Sequence, residues 1–298
     1  MFRTIYKREL LVTSRNLKMP AFIIANNSIL AFVAMFAYYL AFSSRAKQGS
    51  MVNGIQMLNI FSLLSLIEFV MVIILTLVLT VPCIINERKD HTLDLIMIAN
   101  TSPIQYVLAK VYSRVMISMT IVLASSPILG IVFYIGGISL LNMITMFLLF
   151  FVATVFAGAI GVFFSCYCKR ITTATISSYL VMFLVALGSI MFVGSIVLMK
   201  KADLGIELSD TESLISIGKV TYILLVNPLY TFLKLMHDCF GTMNEVSKYV
   251  ITYEKNAIFS NQWIWNSCLI QIGLSMILIL LSVNRLKIDK KNNKRVIL

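Results

Sequence analysis

Long apolar runs alternate with short polar stretches along this 298-residue chain. Six runs have at least about 20 residues, the length an α-helix needs to cross a hydrocarbon core about 30 Å thick. Their approximate bounds are Ala21–Phe42, Leu58–Ile85, Ile104–Tyr134, Leu141–Cys166, Ala174–Met199 and Trp263–Val283. The two-residue alternation of membrane β-strands is absent. The pattern therefore predicts an all-α integral membrane protein with six transmembrane helices, spans 1 to 6, in a single domain over residues 1–298.

The composition supports this class of protein. Hydrophobic residues make up 59% of the chain and charged residues 13%, with a mean hydropathy of +0.90. Soluble domains carry about 25% charged residues, roughly twice this share. The composition therefore excludes an ordinary soluble domain.

The net charge of +12 is distributed unevenly between the two sides of the predicted membrane protein. An even number of spans places both termini on one side, and that side would hold most of the 25 basic residues. The positive-inside rule then predicts that both termini are cytoplasmic. The excess charge favours anionic membrane lipids as partners and requires no nucleic acid. We expect a multi-pass protein of the plasma membrane, of bacterial origin.

Residues 1–19 have the pattern of an amphipathic helix at the membrane surface, here called the leader. Phe2, Tyr6 and Leu10 can share one face, while basic residues occupy the rest. Pro20 is expected to end this helix and redirect the chain into span 1. The alternative is an ordinary basic flank that only orients the protein.

Glu68 lies within the apolar run of span 2. A carboxylate is costly within a membrane, so its side chain should face the helix bundle or a watery cavity. One interpretation is a site for a proton or a substrate cation. The other, which the sequence favours because no basic residue lies in the middle of another span, is a protonated or hydrogen-bonded carboxyl group.

Small residues recur every four positions along span 4, at Ala153, Ala157, Gly161 and Ser165. This spacing places them on one helix face, where they allow a neighbouring helix to approach closely. We interpret the stripe as a helix-packing surface with no catalytic role.

The segment from Lys200 to Gln262 is too long for a simple turn. Its apolar part, Val220–Leu235, is short for a span and contains the pair Asn227-Pro228. A seventh span would also place the basic C-terminal tail outside. The pattern favours an external re-entrant helical segment between spans 5 and 6.

The chain contains no phosphate-binding loop, no HExxH pair and no Gly-x-Ser-x-Gly elbow. Its two histidines, His91 and His237, are predicted to lie on opposite sides of the membrane. We therefore expect no catalytic residues, no metal site and no enzymatic activity. Energy for any transport must come from an ion gradient or from another chain.

Four groups of residues together resemble the permease subunits of ABC-2 family transporters. The leader is similar to the connecting helix of that family through Lys7, Glu9 and Arg15. The second group runs from Glu87 through Thr92-Leu93-Asp94-Leu95 and Ser102-Pro103 to Lys110. The third comprises Gly161, Ser165 and Ala174, and the fourth Asn227-Pro228-Leu229. His91 and Ala109 depart from the family pattern, since glycine is usual at both positions.

The resemblance implies a permease that pairs with a second permease chain, identical or different, and with separate ABC ATPase subunits. ATP and Mg²⁺ would bind to the ATPase, and this chain would bind no cofactor. The polar segment after span 2 would form a cytoplasmic coupling helix seated in the ATPase, with the leader packed beside it. Its contact residues would be Glu87, Arg88, Asp90, Thr92, Leu93, Asp94, Leu95 and Ile96.

The function that the resemblance implies is ATP-driven export, and the apolar spans favour an amphiphilic peptide, drug or lipid as the substrate. Two alternatives remain open at this point. One is a gradient-driven carrier or channel that uses Glu68. The other is a membrane immunity or sensor protein that binds a toxic peptide without moving it.

Overall fold

The computed structural model describes residues 6–9, 11, 17–46, 54–90, 92–93, 102–136, 139–203, 218–242 and 262–297. These residues are almost entirely helical, and no strand occurs among them. Six of the described helical stretches are long and apolar enough to cross a membrane, which confirms the predicted fold class. They are Met19–Ser43, Gln56–Lys89, Pro103–Gly130, Leu140–Tyr167, Ile171–Ile196 and Trp263–Ile288.

Nine α-helices are described, numbered here in chain order. They are α1 (Lys18–Ala46), α2 (Gly54–Thr80), α3 (Pro82–Lys89), α4 (Pro103–Gly136), α5 (Leu140–Tyr167), α6 (Ile171–Phe183), α7 (Ser189–Asp203), α8 (Pro228–Phe240) and α9 (Trp263–Ile297). Span 1 is α1, and span 2 is α2 continued by α3. Spans 3 and 4 are α4 and α5, span 5 comprises α6 and α7, and span 6 is α9.

Pro20 lies in the first turn of α1, where its missing N–H and fixed φ are tolerated. The helix of span 1 therefore begins at Lys18, two residues before the proline, and not after it. The predicted leader over residues 1–19 thus overlaps the start of span 1. Of the rest of the leader, the structure describes residues 6–9 and 11, which are helical, and residue 17.

Spans 2, 3 and 4 form the centre of the bundle, and most of their side chains are buried. Phe69 of span 2 is fully buried and stacks on Phe232 of α8, with 4.5 Å between the ring centroids. Phe150 of span 4 completes this aromatic core, 5.3 Å from the Phe69 ring. Spans 1 and 5 lie at the periphery and leave many large apolar side chains exposed, as expected of surfaces that contact lipid.

The small-residue stripe of span 4 lies against span 2. Its four side chains are all buried. A Cβ atom added at Gly161 would come within 2.0 Å of the Thr80 hydroxyl oxygen and 2.8 Å of the Thr80 Cβ. Only a glycine therefore permits this separation between the two helices.

The segment between spans 5 and 6 contributes a 3₁₀ helix, Gly218–Val226, and α8. Asn227 begins α8 because its side-chain oxygen accepts hydrogen bonds from the backbone N–H groups of Leu229 and Tyr230. Its amide nitrogen donates to the Ala186 carbonyl at 2.7 Å. Ala186 belongs to the π-helical turn Leu184–Gly188, which joins α6 to α7. Asn227 thereby fastens α8 to span 5.

Candidate functional site

A cluster of charged side chains lies where span 3 begins and span 2 ends; we call this region of the bundle the charged end. Lys110 of span 3 is at its centre and is 1% exposed. Its Nζ atom is 2.6 Å from Oε1 of Glu9 in the leader and 2.5 Å from Oε1 of Glu87 in α3. One buried ammonium group thus joins the leader to spans 2 and 3.

Two further side chains of span 3 complete the cluster. Arg114 donates from Nη2 to Oε2 of Glu9 at 2.9 Å, and the Tyr106 hydroxyl donates to Oε2 of Glu87. Tyr106, Lys110 and Arg114 follow one another at intervals of four, so they share one helix face. The charges of the two carboxylates offset those of the two cations. This balance limits the free-energy cost of removing the charges from water.

The leader also contacts span 3 through an aromatic pair. The rings of Tyr6 and Tyr112 lie 5.0 Å apart, at an angle of 50°. Burial, and to a smaller extent the neighbouring Tyr112, raise the pKa of Tyr6 above its ordinary value. The described part of the leader is therefore held by both ion pairs and an apolar contact.

Arg88 links α3 to the end of span 4. Its guanidinium group donates to the backbone carbonyls of Cys166 at 3.2 Å and Cys168 at 3.4 Å. The Ser165 hydroxyl accepts a hydrogen bond from the backbone N–H of Ile84 at 3.1 Å. The charged end is thus bound to span 4 as well as to spans 2 and 3.

The predicted coupling residues fall into three groups. Glu87 and Arg88 make contacts within the chain, and Leu93 is buried in the apolar cluster around Cys83 and Tyr106. Thr92 donates a hydrogen bond to the Glu87 carbonyl at 3.2 Å, and Asp90 is exposed. Asp94, Leu95 and Ile96 lie outside the described residues, as does His91, which departs from the family pattern.

Of the three predicted connecting-helix residues, Glu9 joins the cluster, Lys7 is exposed and Arg15 lies outside the described residues. The site roles of Lys110, Arg114 and Tyr106 were not predicted. Their four-residue spacing at the start of an apolar span is a signal that the sequence does carry. Ala109, which departs from the family pattern, is fully buried next to Lys110.

Glu68 occupies a second polar site, deeper in the bundle. It is fully buried; the Asn26 amide of span 1 donates to its Oε2 atom at 3.1 Å, and Ser125 Oγ of span 3 lies 2.7 Å from its Oε1 atom. No described cation lies within ion-pair distance of its carboxyl group. Both polar sites therefore join span 2 to span 3, but by different chemistry.

The described residues contain no group of three or more His, Cys, Asp or Glu side chains that could hold a metal ion. The ion pairs of the charged end connect the leader with spans 2 and 3. The chemistry of the charged end is that of a structural junction.

The architecture defines a polytopic helical membrane protein with a polar junction at one end. The sequence pattern of a known family, described as ABC-2 family transporter protein, matches residues 46–284. Because the match covers most of the chain, the chain belongs to the ABC-2 family of transporter proteins. A comparison with curated proteins found no match. The protein is thus the membrane component of an ABC-type transporter, a family that generally works with an ABC ATPase.

Proposed function

We propose that this chain is the permease subunit of an ATP-driven exporter and that the charged end is where the ATPase subunit docks. The observation that carries the proposal is the buried Lys110, bonded to both Glu9 and Glu87. Through it, the leader and α3 form one unit with span 3. A force applied to either surface element would then move span 3 as well.

The polar surface around this junction supports docking of a partner from water. Lys7, Lys89, Asp90 and Arg170 are all exposed there. A mixed but mainly basic surface is complementary to an acidic groove, and such complementarity guides association. Under this proposal the charged end faces the cytoplasm, where ATP is available. Both termini would then be cytoplasmic, in agreement with the positive-inside rule.

The proposal divides the predicted coupling residues into two roles. Asp90, on the surface, would contact the ATPase directly. Glu87, Arg88 and Leu93 would act as positioning residues, because their side chains contact spans 3 and 4. Thr92 would orient the turn through its bond to the Glu87 carbonyl. Asp94, Leu95 and Ile96 remain proposed contact residues on the basis of the family resemblance.

The complete transporter would contain two permease chains and two ATPase subunits, with ATP and Mg²⁺ bound by the ATPase alone. The exposed apolar faces of spans 1 and 5 are available to lipid or to a second permease chain. We propose an amphiphilic peptide, drug or lipid as the substrate, because buried Ser, Thr and Asn side chains are scattered among apolar ones in the bundle.

A pair of exposed aspartates tests the docking surface. Asp90 is at the charged end, whereas Asp238 of α8 is near the start of span 4, at the opposite end. The full chain would be purified with its ATPase subunit, and the affinity of the two would be measured in nanodiscs. Asp90→Ala is expected to weaken association by roughly two- to fivefold, the effect of a charge at an interface rim.

Asp238→Ala is the matched control and should leave the affinity unchanged. If Asp90→Ala and Asp238→Ala bind the ATPase subunit with equal affinity, Asp90 is not part of the interface. Weaker association for Asp238→Ala alone would place the ATPase at the wrong end and contradict the proposed orientation.

A further inference from the structure

The hydroxyl group of Ser125 is in contact with two acceptors at once. Its Oγ atom is 2.7 Å from Oε1 of Glu68 and 2.8 Å from the backbone carbonyl of Val122. A hydroxyl group has one proton and can donate a full hydrogen bond to only one of them, although it can accept another. A second proton, placed between Ser125 Oγ and Glu68 Oε1, would give each of the two short contacts its own hydrogen.

Glu68 can supply that proton if its carboxyl group is neutral. The Oε1 hydroxyl of Glu68 would donate to Ser125 Oγ, and Ser125 would donate to the Val122 carbonyl. The second carboxyl oxygen, Oε2, would accept from Asn26 Nδ2, which lies 3.1 Å away. Each of the three contacts then has one proton, and no donor is shared.

The surroundings of Glu68 favour the neutral form independently of this count. Its side chain is fully buried, as are those of Asn26 and Ser125. An isolated carboxylate is costly in such a place unless a cation accompanies it.

The charged groups on the neighbouring elements are engaged elsewhere. Lys110 and Arg114 of span 3 bind the carboxylates of the charged end, and Lys234 of α8 faces Asp238 at 3.9 Å. Other titratable side chains are described on the elements around span 2. They include Tyr38, Tyr106, Tyr112, Cys166, Tyr167, Tyr179, Tyr230, His237 and Cys239. None of these described groups bonds to Glu68, whose hydrogen bonds are those with Asn26 and Ser125.

We propose that Glu68 is a proton-binding site within the membrane, where its neutral carboxyl group donates to Ser125 and links spans 1, 2 and 3. Span 1 is attached to the bundle by the bond from Asn26 to Glu68 and by the bond from the Asn27 amide to the Ala124 carbonyl at 3.3 Å. The bound proton lies in the contact between spans 2 and 3, next to the Asn26 bond that attaches span 1. This site is separate from the charged end and does not depend on the proposed ATPase contact.

Infrared difference spectroscopy on the full chain in nanodiscs tests the proton directly. The spectrum of Glu68→Gln would be subtracted from that of the wild type near neutral pH. We expect a carbonyl band of a protonated carboxyl group that only the wild type shows. A difference spectrum that contains carboxylate bands instead would overturn the proposal.

Ser125→Ala tests where the proton points. Loss of the acceptor should move the Glu68 carbonyl band to higher frequency, because the carboxyl group loses its hydrogen-bond partner. An unmoved band would show that the proton is not donated to Ser125 and would contradict the proposed arrangement.

Thermal unfolding supplies a readout that does not depend on spectral assignment. The amide of Glu68→Gln can donate to Ser125 and accept from Asn26, so its unfolding temperature should match that of the wild type. Glu68→Leu cannot form either bond and should unfold at a lower temperature. If the two variants are destabilised equally, a neutral side chain with the same bonds does not replace Glu68, and the proposal fails.

Discussion

Two carboxyl groups of span 2, Glu68 and Glu87, both contact span 3, but they do so in opposite ways. Glu87 shares the ammonium group of Lys110 with the leader residue Glu9, and all three belong to a balanced set of charges. Glu68 instead meets the neutral side chains of Asn26 and Ser125. Full charges are thus found at the helix ends, where some water reaches them, and neutral hydrogen bonds deep in the bundle.

The charged end and the Glu68 site also differ in exposure, which suits them to different functions. The carboxylates of Glu9 and Glu87 retain 13% and 17% exposure, so a partner that arrives from water can alter their pairing. Glu68 has no exposed surface. The charged end is therefore suited to receive a protein partner, whereas the Glu68 site is suited to hold helices together.

The largest expected effect comes from Lys110→Met. The variant leaves Glu9 and Glu87 facing each other, with only Arg114 to compensate two negative charges. Breaking a buried ion pair in this way costs about 3–5 kcal/mol. A large fall in the unfolding temperature of the purified chain in detergent would confirm the cost.

The double variant Glu87→Gln/Lys110→Met controls for the loss of packing. It removes one charge of each sign and leaves the pair of Glu9 and Arg114 intact. We expect it to recover part of the stability that Lys110→Met loses. If the double variant is less stable than the single one, charge balance does not explain the role of Lys110.

The sequence predicted the six spans because each apolar run is long enough to cross a bilayer on its own. The family resemblance implied that the leader packs beside the coupling helix, but it did not indicate which of their side chains meet. Glu9 and Lys110 are 101 positions apart, and no periodicity in the sequence indicates that they meet. The sequence did not indicate the partners of Glu68 either, since Asn26 and Ser125 resemble many other polar residues in the spans. Such pairings depend on how the helices pack.

The stretch of span 2 that separates the two carboxyl groups gives the next prediction. Thr80 lies there, and a methyl group at Gly161 would overlap its side chain. Gly161→Ala should therefore push span 4 away from span 2 and cost about 1–3 kcal/mol. The measurement is the unfolding temperature in detergent.

Gly158→Ala, one turn away on span 4, is the control. The nearest side-chain atom to a Cβ there is 3.4 Å away, at Val115. We expect little or no loss of stability, since alanine also favours the helix. If both alanine variants unfold at the same temperature, close approach at Gly161 does not determine the packing.

The smallest expected effect concerns the aromatic contact of the leader. Because the pKa of Tyr6 is raised above 10.0 in the folded protein, folding favours its neutral phenol. This contribution to stability is complete below pH about 10 and declines as pH rises through the folded-state pKa. When the pH is raised into this alkaline range, Tyr6→Phe should therefore lose less stability than the wild type. Identical pH profiles for the two proteins would contradict a contribution from Tyr6.

The pairing of Glu9 with Arg114 allows the central claim to be tested without leaving a net charge at the junction. Glu9→Gln/Arg114→Gln removes one charge of each sign and keeps Lys110 paired with Glu87. The decisive measurement is the ATP turnover of the ATPase subunit, alone and with the permease in nanodiscs. We predict that the variant still binds the ATPase but no longer changes its turnover as the wild type does. Wild-type turnover in the variant complex would contradict a coupling role for the charged end.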